Sequence, residues 1–282
     1  MIKLNDEPLK KHTTVKIGGI AHNYYIPQDL NDIIQLSEEM ADKKIYIISG
    51  GSNLLISDLH AFENVISMEQ ACTEIKFLDD GTICCGASVR IQKLINNAKV
   101  QGLGGIEYLY SLPAMLGGII CMNAGRGIKF GESISDHIVE VYAIKDGREY
   151  VFSKDDCQFG YRTSIFKGSN YIITGAKLQL NPMEISQIEE GIQSRMNLCR
   201  EIQDHTGSTF GSVFSCCNEK IMGIMQKFFS NTKGVHWSKK RGNWLINDGT
   251  GTYTQAMRRM RICKVLHHLI SSKIEEEVII WE

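Results

Sequence analysis

The spacing of apolar residues predicts a series of amphipathic helices. In residues 29–40 the apolar positions recur every three or four residues after Asp29, whose side chain can cap a helix. The apolar face of this helix implies a sheet beneath it. Further helices are predicted at 88–101 (capped by Ser88), 183–204, 223–229 and 254–272.

Short β-rich runs alternate with these helices. Residues 45–48 predict a buried strand that ends in a glycine turn, and Asp79-Asp80-Gly81 predicts a hairpin between two such runs. Strands are also expected at 138–145, 171–180 and 244–246, with Asp146-Gly147 as a turn between strands. The mixture predicts an α/β or α+β protein, and 282 residues favour two domains over one.

Composition and charge narrow the possible functions. The chain is 43% hydrophobic and 22% charged with 4 prolines, as in an ordinary globular protein. Its 31 basic and 32 acidic residues leave a net charge of -1, so no global field favours nucleic acid or an anionic membrane. The N-terminus lacks a signal-peptide pattern, and no apolar run is long enough to cross a bilayer. We therefore expect a cytoplasmic protein with no membrane or nucleic-acid partner.

The cysteines and histidines do not indicate a metal or a disulfide framework. Nine cysteines, including the adjacent pairs Cys84-Cys85 and Cys216-Cys217, contain no CxxC motif, which favours reduced thiols. The eight histidines are scattered apart from His267-His268, so we predict no metal site. The basic residues of the last helix could form a groove for a nucleotide diphosphate or lie on a solvated helix face.

Three glycine-containing segments point to an anionic ligand. Backbone N–H groups of successive small residues can cradle phosphate oxygens, and a pyrophosphate is the natural guest. The alternative is that the glycines only serve tight turns. None of the segments fits the GxGxxG or GxxxxGK[ST] fingerprint. The candidate binding residues are Ser49, Gly50, Gly51, Ser52, Asn53, Leu112, Pro113, Gly117, Gly118, Asn123 and Gly125.

Several short motifs occur in a fixed order along the chain, at 12–19, 49–55, 105–107, 112–118, 123–125, 159–164 and 211–214. Taken together and in order, these motifs resemble those of the UDP-N-acetylenolpyruvoylglucosamine reductase family. The resemblance covers most of the chain. It implies an α+β fold with an FAD-binding domain of two α+β subdomains, of the vanillyl-alcohol-oxidase/PCMH type, and a smaller α+β substrate-binding domain. We expect the first at 1–182, divided near 70–87, and the second at 183–282.

The resemblance also implies a reaction and its residues. In the family, NADPH reduces FAD and the flavin hydride adds to the terminal carbon of an enolpyruvyl ether on a UDP-sugar. Arg162 matches the arginine that stabilises the substrate carboxylate, Ser212 matches the serine that donates the proton, and Glu277 matches the glutamate that completes the site. With no Cys or His placed for covalent attachment, we expect dissociable FAD.

Each role has a structural alternative: Arg162 in a surface ion pair, Ser212 in a turn or cap, and Glu277 in the solvated charge run 275–277. Departures from the family pattern concentrate in the substrate half, near 215–223 and 232–247, and 126–129 resembles an insertion. Three functions therefore remain open: the family reductase, a flavoenzyme of this fold with another anionic or nucleotide-linked substrate, and a binding module without catalysis. The presence of Arg162 and Ser212 argues against the last.

Overall fold

The computed structural model describes all 282 residues. Its helices are α1 Leu30–Glu39, α2 Ile91–Val100, α3 Leu116–Cys121, α4 Ile185–Ile202, α5 Glu219–Phe229 and α6 Tyr253–Leu269. Its strands are β1 Ile2–Pro8, β2 Ile20–Ile26, β3 Tyr46–Ile48, β4 Leu54–Ile56, β5 Ala61–Ser67, β6 Ile75–Phe77, β7 Ile83–Gly86, β8 Leu103–Gly104, β9 Ile138–Lys145, β10 Arg148–Ser153, β11 Ile172–Leu178, β12 Asn181–Pro182, β13 Phe214–Cys216, β14 Val235–Trp237, β15 Leu245–Asn247, β16 Glu275–Glu276 and β17 Ile279–Trp281. The mixed content confirms the α+β prediction.

The helices predicted from apolar spacing are all present. Asp29 caps α1 by accepting a hydrogen bond from the Asp32 backbone N–H at 2.9 Å. The predicted cap of α2 was wrong, because this helix begins at Ile91 with Arg90 at its N-cap. Residues 87–89 instead form a turn, in which the carbonyls of Ala87 and Val89 accept hydrogen bonds. Ser88 therefore lies before the helix rather than at its start.

The chain divides into two compact units. The first contains residues 1–4, 24–49 and 64–199, and the second contains residues 5–23, 50–63 and 200–282. A four-stranded sheet has the order β1-β2-β5-β3. These units are defined by compact packing, whereas the predicted FAD-binding and substrate-binding domains are defined by the ligand each would hold. The predicted boundary between those two domains, at 182/183, therefore stays a prediction.

The first unit is built around a five-stranded sheet of order β10-β9-β11-β7-β6. Its pairs are antiparallel, and the predicted hairpin at 79–81 joins β6 to β7 while the predicted turn at 146–147 joins β9 to β10. Helices α2 and α3 cover one face through a buried apolar cluster that includes Ile83, Leu94, Ile119 and Val141. Apolar burial is the main force that holds such layers together.

The second unit has its own apolar core around helices α5 and α6. Trp237 is completely buried and stacks on Phe214 with ring centroids 6.4 Å apart. Strands β17 and β4 pair in parallel, which places the last strand of the chain beside residues 54–56. No helix of the protein combines the length and apolar character needed to cross a lipid bilayer.

Two basic residues of helix α6 pack against other parts of the protein. His267 is fully buried, where Nε2 accepts from the Asn218 backbone N–H and Nδ1 donates to the Cys263 carbonyl, both at 2.8 Å. The Arg259 guanidinium lies 4.5 Å from the Phe229 ring centroid. These two side chains therefore do not contribute to a basic face, whereas Arg258, Arg261 and His268 are exposed, as either alternative requires.

All nine cysteines are free thiols. Burial raises the pKa of both Cys85 and Cys263 to about 12, so these two stay protonated at neutral pH. No group of three or more His, Cys, Asp or Glu side chains is arranged to hold a metal ion. The absence of a metal cofactor stays a prediction.

Candidate active site

The glycine turn after β3 needs glycine at position 51 for packing. Gly51 has φ +57°, and a Cβ there would lie 1.9 Å from the carbonyl oxygen of His12. The Gly51 carbonyl accepts a hydrogen bond from the Thr14 N–H at 3.1 Å. Two motif segments that are distant in sequence, 12–19 and 49–55, thus pack backbone against backbone within the second unit. Gly50 and Ser52 lie in the same turn.

Asn53, at the end of this turn, contacts the C-terminal segment. Its Nδ2 donates to the Glu277 carbonyl at 3.1 Å, and its own carbonyl accepts from the Ile279 N–H at 3.0 Å. The side chain therefore anchors residues 277–279 within the second unit. The predicted contact of Asn53 with FAD stays a prediction.

In the first unit, Ser49 lies beside the glycine pair of α3. A Cβ added to Gly118 would meet only the Ser49 Oγ, at 3.3 Å. Gly117 donates its N–H to the Ala87 carbonyl at 2.9 Å. The pair thus lies in the first turn of a helix rather than in the loop that the sequence suggested, and this turn is fixed against residues 87–89.

Two buried hydroxyls in the same region have no protein partner. Ser67 is 0% exposed and pairs in register with Ile48, the residue before Ser49. Ser88 is 5% exposed and follows Ala87, which bonds Gly117. Neither Oγ makes a hydrogen bond. Buried hydroxyls are nearly always satisfied, so unpaired ones beside a glycine indicate a site for a polar ligand.

The residues of this region fit the diphosphate of FAD. A diphosphate needs close backbone approach and hydroxyl donors, and Gly118, Ser49, Ser67 and Ser88 provide both kinds of group. Ser67 and Ser88 were not predicted, since no local sequence pattern distinguishes them from other serines. The register of Ser67 with β3, and the bond to α3 from Ala87, the residue before Ser88, exist only in the folded chain.

The loop before α3 is held by one side chain. Gln92 on α2 donates its Nε2 to the Tyr110 carbonyl at 2.6 Å and to the Leu112 carbonyl at 2.7 Å. The predicted binding residues Leu112 and Pro113 therefore have a fixed backbone, and Pro113 is exposed. Sequence analysis missed Gln92, which acts only through this tertiary contact.

Arg162 lies in a tight turn with φ +59°. Gly160 and Thr163 exchange backbone hydrogen bonds of 3.0 and 3.3 Å across the turn. The Arg162 Nη2 donates to the Gly125 carbonyl at 3.0 Å, and its guanidinium lies 5.4 Å from the Tyr161 ring centroid. The guanidinium is thus half-buried and bonded to a backbone carbonyl, which differs from the surface ion pair that was the structural alternative for Arg162.

Gly125 and Asn123 both contact this turn. A Cβ on Gly125 would lie 2.1 Å from the Glu132 carbonyl oxygen, so only glycine fits there. The Asn123 Nδ2 donates to the Gly160 carbonyl at 2.9 Å. Both residues were predicted to bind FAD, and that role stays a prediction beside the structural contacts they make.

Tyr108 is a further polar group near Arg162 that sequence analysis missed. Its buried hydroxyl makes no hydrogen bond. Burial raises the pKa of Tyr108, the carboxylates of Asp136, Glu132 and Glu107 raise it further, and Arg162 opposes them. The hydroxyl is therefore neutral and can donate a proton in a hydrogen bond. Its position next to the 105–107 motif was the only sequence signal.

The segments that carry Ser212 and Glu277 are hydrogen bonded to each other in the second unit. The Glu277 N–H donates to the carbonyl of Val213, the residue after Ser212, at 2.9 Å. Asn243 fixes the same strand, because its Oδ1 accepts from the Phe214 N–H and its Nδ2 donates to the Phe214 carbonyl, at 3.1 and 2.7 Å. Both predicted residues are half-buried, so Glu277 is not on a fully solvated charge run.

Comparison with known proteins identifies the family. A model of an FAD binding domain matches residues 21–151. A UDP-N-acetylenolpyruvoylglucosamine reductase from Maricaulis maris is 30% identical over 257 residues, which are 87% of this chain and 80% of the relative. The enzyme of that name from Pelobacter propionicus is 29% identical over 267 residues, 93% and 89% of the two chains. The crystal structure of the reductase from Thermus caldophilus superimposes with a TM-score of 0.79 at 21% identity and covers 100% of this chain and 98% of that one.

The fold and the matched domain define an FAD-binding protein of the vanillyl-alcohol-oxidase/PCMH type. These two relatives match 93% and 87% of the chain. The chain belongs to the UDP-N-acetylenolpyruvoylglucosamine reductase family.

Proposed function

We propose that the protein reduces UDP-N-acetylglucosamine enolpyruvate to UDP-N-acetylmuramate in peptidoglycan precursor synthesis, with NADPH as the electron donor. Family membership over most of the chain supports the substrate class. The structural observation that carries the proposal is the hydrogen bond from the Glu277 N–H to the Val213 carbonyl, which brings the Glu277 and Ser212 segments together across 65 residues of sequence. Bound FAD supplies the hydride for the terminal carbon of the enolpyruvyl group.

FAD binding is assigned to the glycine segments and their neighbours. Gly118 leaves room for close approach beside Ser49, and the unpaired hydroxyls of Ser67 and Ser88 offer donors. The earlier candidates in the turn 49–53 and at Leu112, Pro113, Gly117, Asn123 and Gly125 remain part of this proposal. No covalent attachment is included in it.

Arg162 is assigned to the substrate carboxylate. When hydride reaches the terminal carbon, negative charge develops on the carbon beside the carboxylate and spreads into it. A fixed guanidinium stabilises that charge, and its bond to Gly125 limits the reorganisation needed during the reaction. The contact between the guanidinium and the substrate carboxylate would also strengthen binding of the substrate before reaction.

Ser212 is assigned as the proton donor. Its hydroxyl would protonate the carbon beside the carboxylate after hydride transfer, which completes the saturated lactyl ether. Asn243 fixes the strand that follows it, so the hydroxyl is carried on a rigid backbone. Glu277, which lies between β16 and β17, is assigned to complete the catalytic set.

The substrate is a small UDP-sugar, and a cytoplasmic location, where such nucleotides are made, is part of the proposal. Neither a nucleic-acid partner nor a membrane partner is included in it.

Ser212→Ala tests the proposal by separating the half-reactions. Reduction of the bound flavin by NADPH should stay near the wild-type rate, because that step does not need the hydroxyl. Reaction of the reduced enzyme with UDP-N-acetylglucosamine enolpyruvate should slow by about a hundred- to ten-thousand-fold, the usual effect of losing a general acid. Both rates are measured anaerobically from flavin absorbance and product formation.

Ser215→Ala is the matched control. Ser215 lies three residues further along the same segment, and its Oγ donates only to the Glu275 carbonyl at 3.4 Å. This variant should keep both half-reactions near wild type. A Ser212→Ala enzyme that forms product at the wild-type rate would show that Ser212 is only a turn residue.

A further inference from the structure

Asn123 lies in a motif expected to face FAD, yet its side chain contacts protein at both ends. Its Nδ2 donates to the Gly160 carbonyl at 2.9 Å, and its Oδ1 accepts from the Ser135 N–H at 3.2 Å. The residue is 7% exposed, and its backbone N–H donates to the Ile120 carbonyl at 3.0 Å. Its polar groups thus tie two loops of the first unit together.

One of those loops is the turn that carries Arg162. Arg162 has φ +59°, a backbone region that favours glycine. A long side chain keeps such a conformation only where its surroundings hold it. The two bonds between Gly160 and Thr163 close the turn but do not fix its place in the protein.

Three side-chain hydrogen bonds connect the turn to residues 121–125. The first is Asn123 Nδ2 to the Gly160 carbonyl. The second is Arg162 Nη2 to the Gly125 carbonyl at 3.0 Å, and the third is Ser164 Oγ to the Cys121 carbonyl at 2.8 Å. Ser164 is 7% exposed. Two buried side chains therefore hold the turn on either side of Arg162.

We propose that Asn123 and Ser164 are positioning residues, which set the place of the Arg162 guanidinium. The inference rests on the proposed function, in which Arg162 pairs with the substrate carboxylate. Neither side chain needs to touch the substrate. A shift of about 1 Å in a catalytic group can cost on the order of a hundred-fold in rate, so loss of either bond should slow the reaction.

Two variants remove one bond each. Asn123→Asp keeps the shape and an acceptor for the Ser135 N–H but replaces the donor to Gly160 with an oxygen. Ser164→Ala removes the bond to Cys121. Ser169→Ala is the matched control, since its Oγ makes a bond of the same kind, to the Phe166 carbonyl at 3.0 Å, within its own loop.

We expect the reaction of reduced enzyme with the enolpyruvyl substrate to slow by about 10- to 100-fold in Asn123→Asp and Ser164→Ala, with a raised substrate KM. In Ser164→Ala, whose side chain is not assigned to FAD, FAD content and reduction by NADPH should match the wild type. In an Arg162→Ala background, Ser164→Ala should cause almost no further loss, because residues that act as a unit are not additive. An equal loss in both backgrounds, or no loss in either single variant, would overturn the proposal.

Hydrogen exchange gives a readout that does not depend on the substrate. The amides of Gly160 and Thr163 are both hydrogen bonded in the turn. They should exchange at least about ten-fold faster in Asn123→Asp and Ser164→Ala and at the wild-type rate in Ser169→Ala. If the wild type does not react with the substrate, the proposed function fails and this measurement alone decides the positioning role. Unchanged exchange of these amides in both Asn123→Asp and Ser164→Ala would refute the positioning role.

Discussion

Replacing Gly118 with alanine separates cofactor binding from folding. Gly118 is the third residue of α3, and the only heavy atom near an added Cβ is the Ser49 Oγ, at 3.3 Å. That hydroxyl is at the end of a side chain and can move by a few tenths of an ångström. The fold should therefore accept the methyl group, whereas a cofactor bound against this glycine should not.

The expected changes in the free energy of unfolding and in the Kd for FAD follow from these contacts. Alanine is favoured over glycine in a helix by up to about 1 kcal/mol, and crowding of Ser49 offsets part of this gain. The free energy of unfolding should thus stay within about 1 kcal/mol of the wild type. Inserting a methyl group into a filled contact costs about 1–3 kcal/mol, which corresponds to about a 5- to 150-fold higher Kd for FAD.

Two other glycines serve as controls with different expected outcomes. Gly51→Ala should disrupt folding itself, because its Cβ would overlap the His12 carbonyl at 1.9 Å and φ is +57°. Gly223→Ala, in helix α5 with nothing within 4 Å, should raise the free energy of unfolding by up to about 1 kcal/mol and leave FAD affinity unchanged.

The assay is titration of the apoprotein with FAD, followed by flavin fluorescence, beside denaturant unfolding of each variant. A Gly118→Ala protein that folds normally and binds FAD with wild-type affinity would refute the placement of the cofactor beside this glycine. Loss of folding in Gly118→Ala would contradict the packing argument instead.

The remaining predictions concern the second unit and the substrate contact. Burial raises the pKa of Asp204, but hydrogen bonds from Ser238 and Thr206 outweigh it and lower the pKa from 3.8 to about 2, which corresponds to about 2 kcal/mol of stability at neutral pH. As the pH falls, the unfolded chain binds the proton first, so this stabilisation should be complete above about pH 5 and vanish as the pH falls towards 2. The free energies of unfolding of the wild type and Asp204→Asn, measured across that range, should therefore differ by an amount that decreases as the pH falls. A difference that stays constant with pH would contradict this prediction. Arg162→Ala should raise the KM for the enolpyruvyl substrate and lower kcat in steady-state assays, because the guanidinium contacts the carboxylate in ground and transition states, and an unchanged KM would argue against that contact.

The sequence predicted the helices well because their apolar faces are long and regular. It missed α3, since six residues that include a glycine pair carry no detectable period. It misplaced the start of α2, because the carbonyls of Ala87 and Val89 are held by α3, a contact that no local pattern reveals. Short strands such as β13 and β16 were missed for the same reason: pairing partners 60 residues away define them.

In the candidate site, too, some residues could be predicted from local motifs and others only from tertiary contacts. Arg162, Ser212 and Glu277 were found because motifs carry them, yet the sequence gives no sign that Arg162 bonds to Gly125. The tertiary fold alone reveals Ser67 and Ser88 as unpaired hydroxyls. Residues that act through side-chain contacts between distant segments have no local signal, whereas residues in glycine-rich motifs do.

The central claim is tested most directly by one anaerobic single-turnover measurement on the wild-type protein. The enzyme is reduced with one equivalent of NADPH and mixed with UDP-N-acetylglucosamine enolpyruvate, and flavin absorbance and product mass are recorded. We predict rapid flavin reoxidation with one equivalent of the lactyl ether, UDP-N-acetylmuramate. A flavin that NADPH reduces but this substrate leaves reduced, with no lactyl ether formed, would contradict the proposed function.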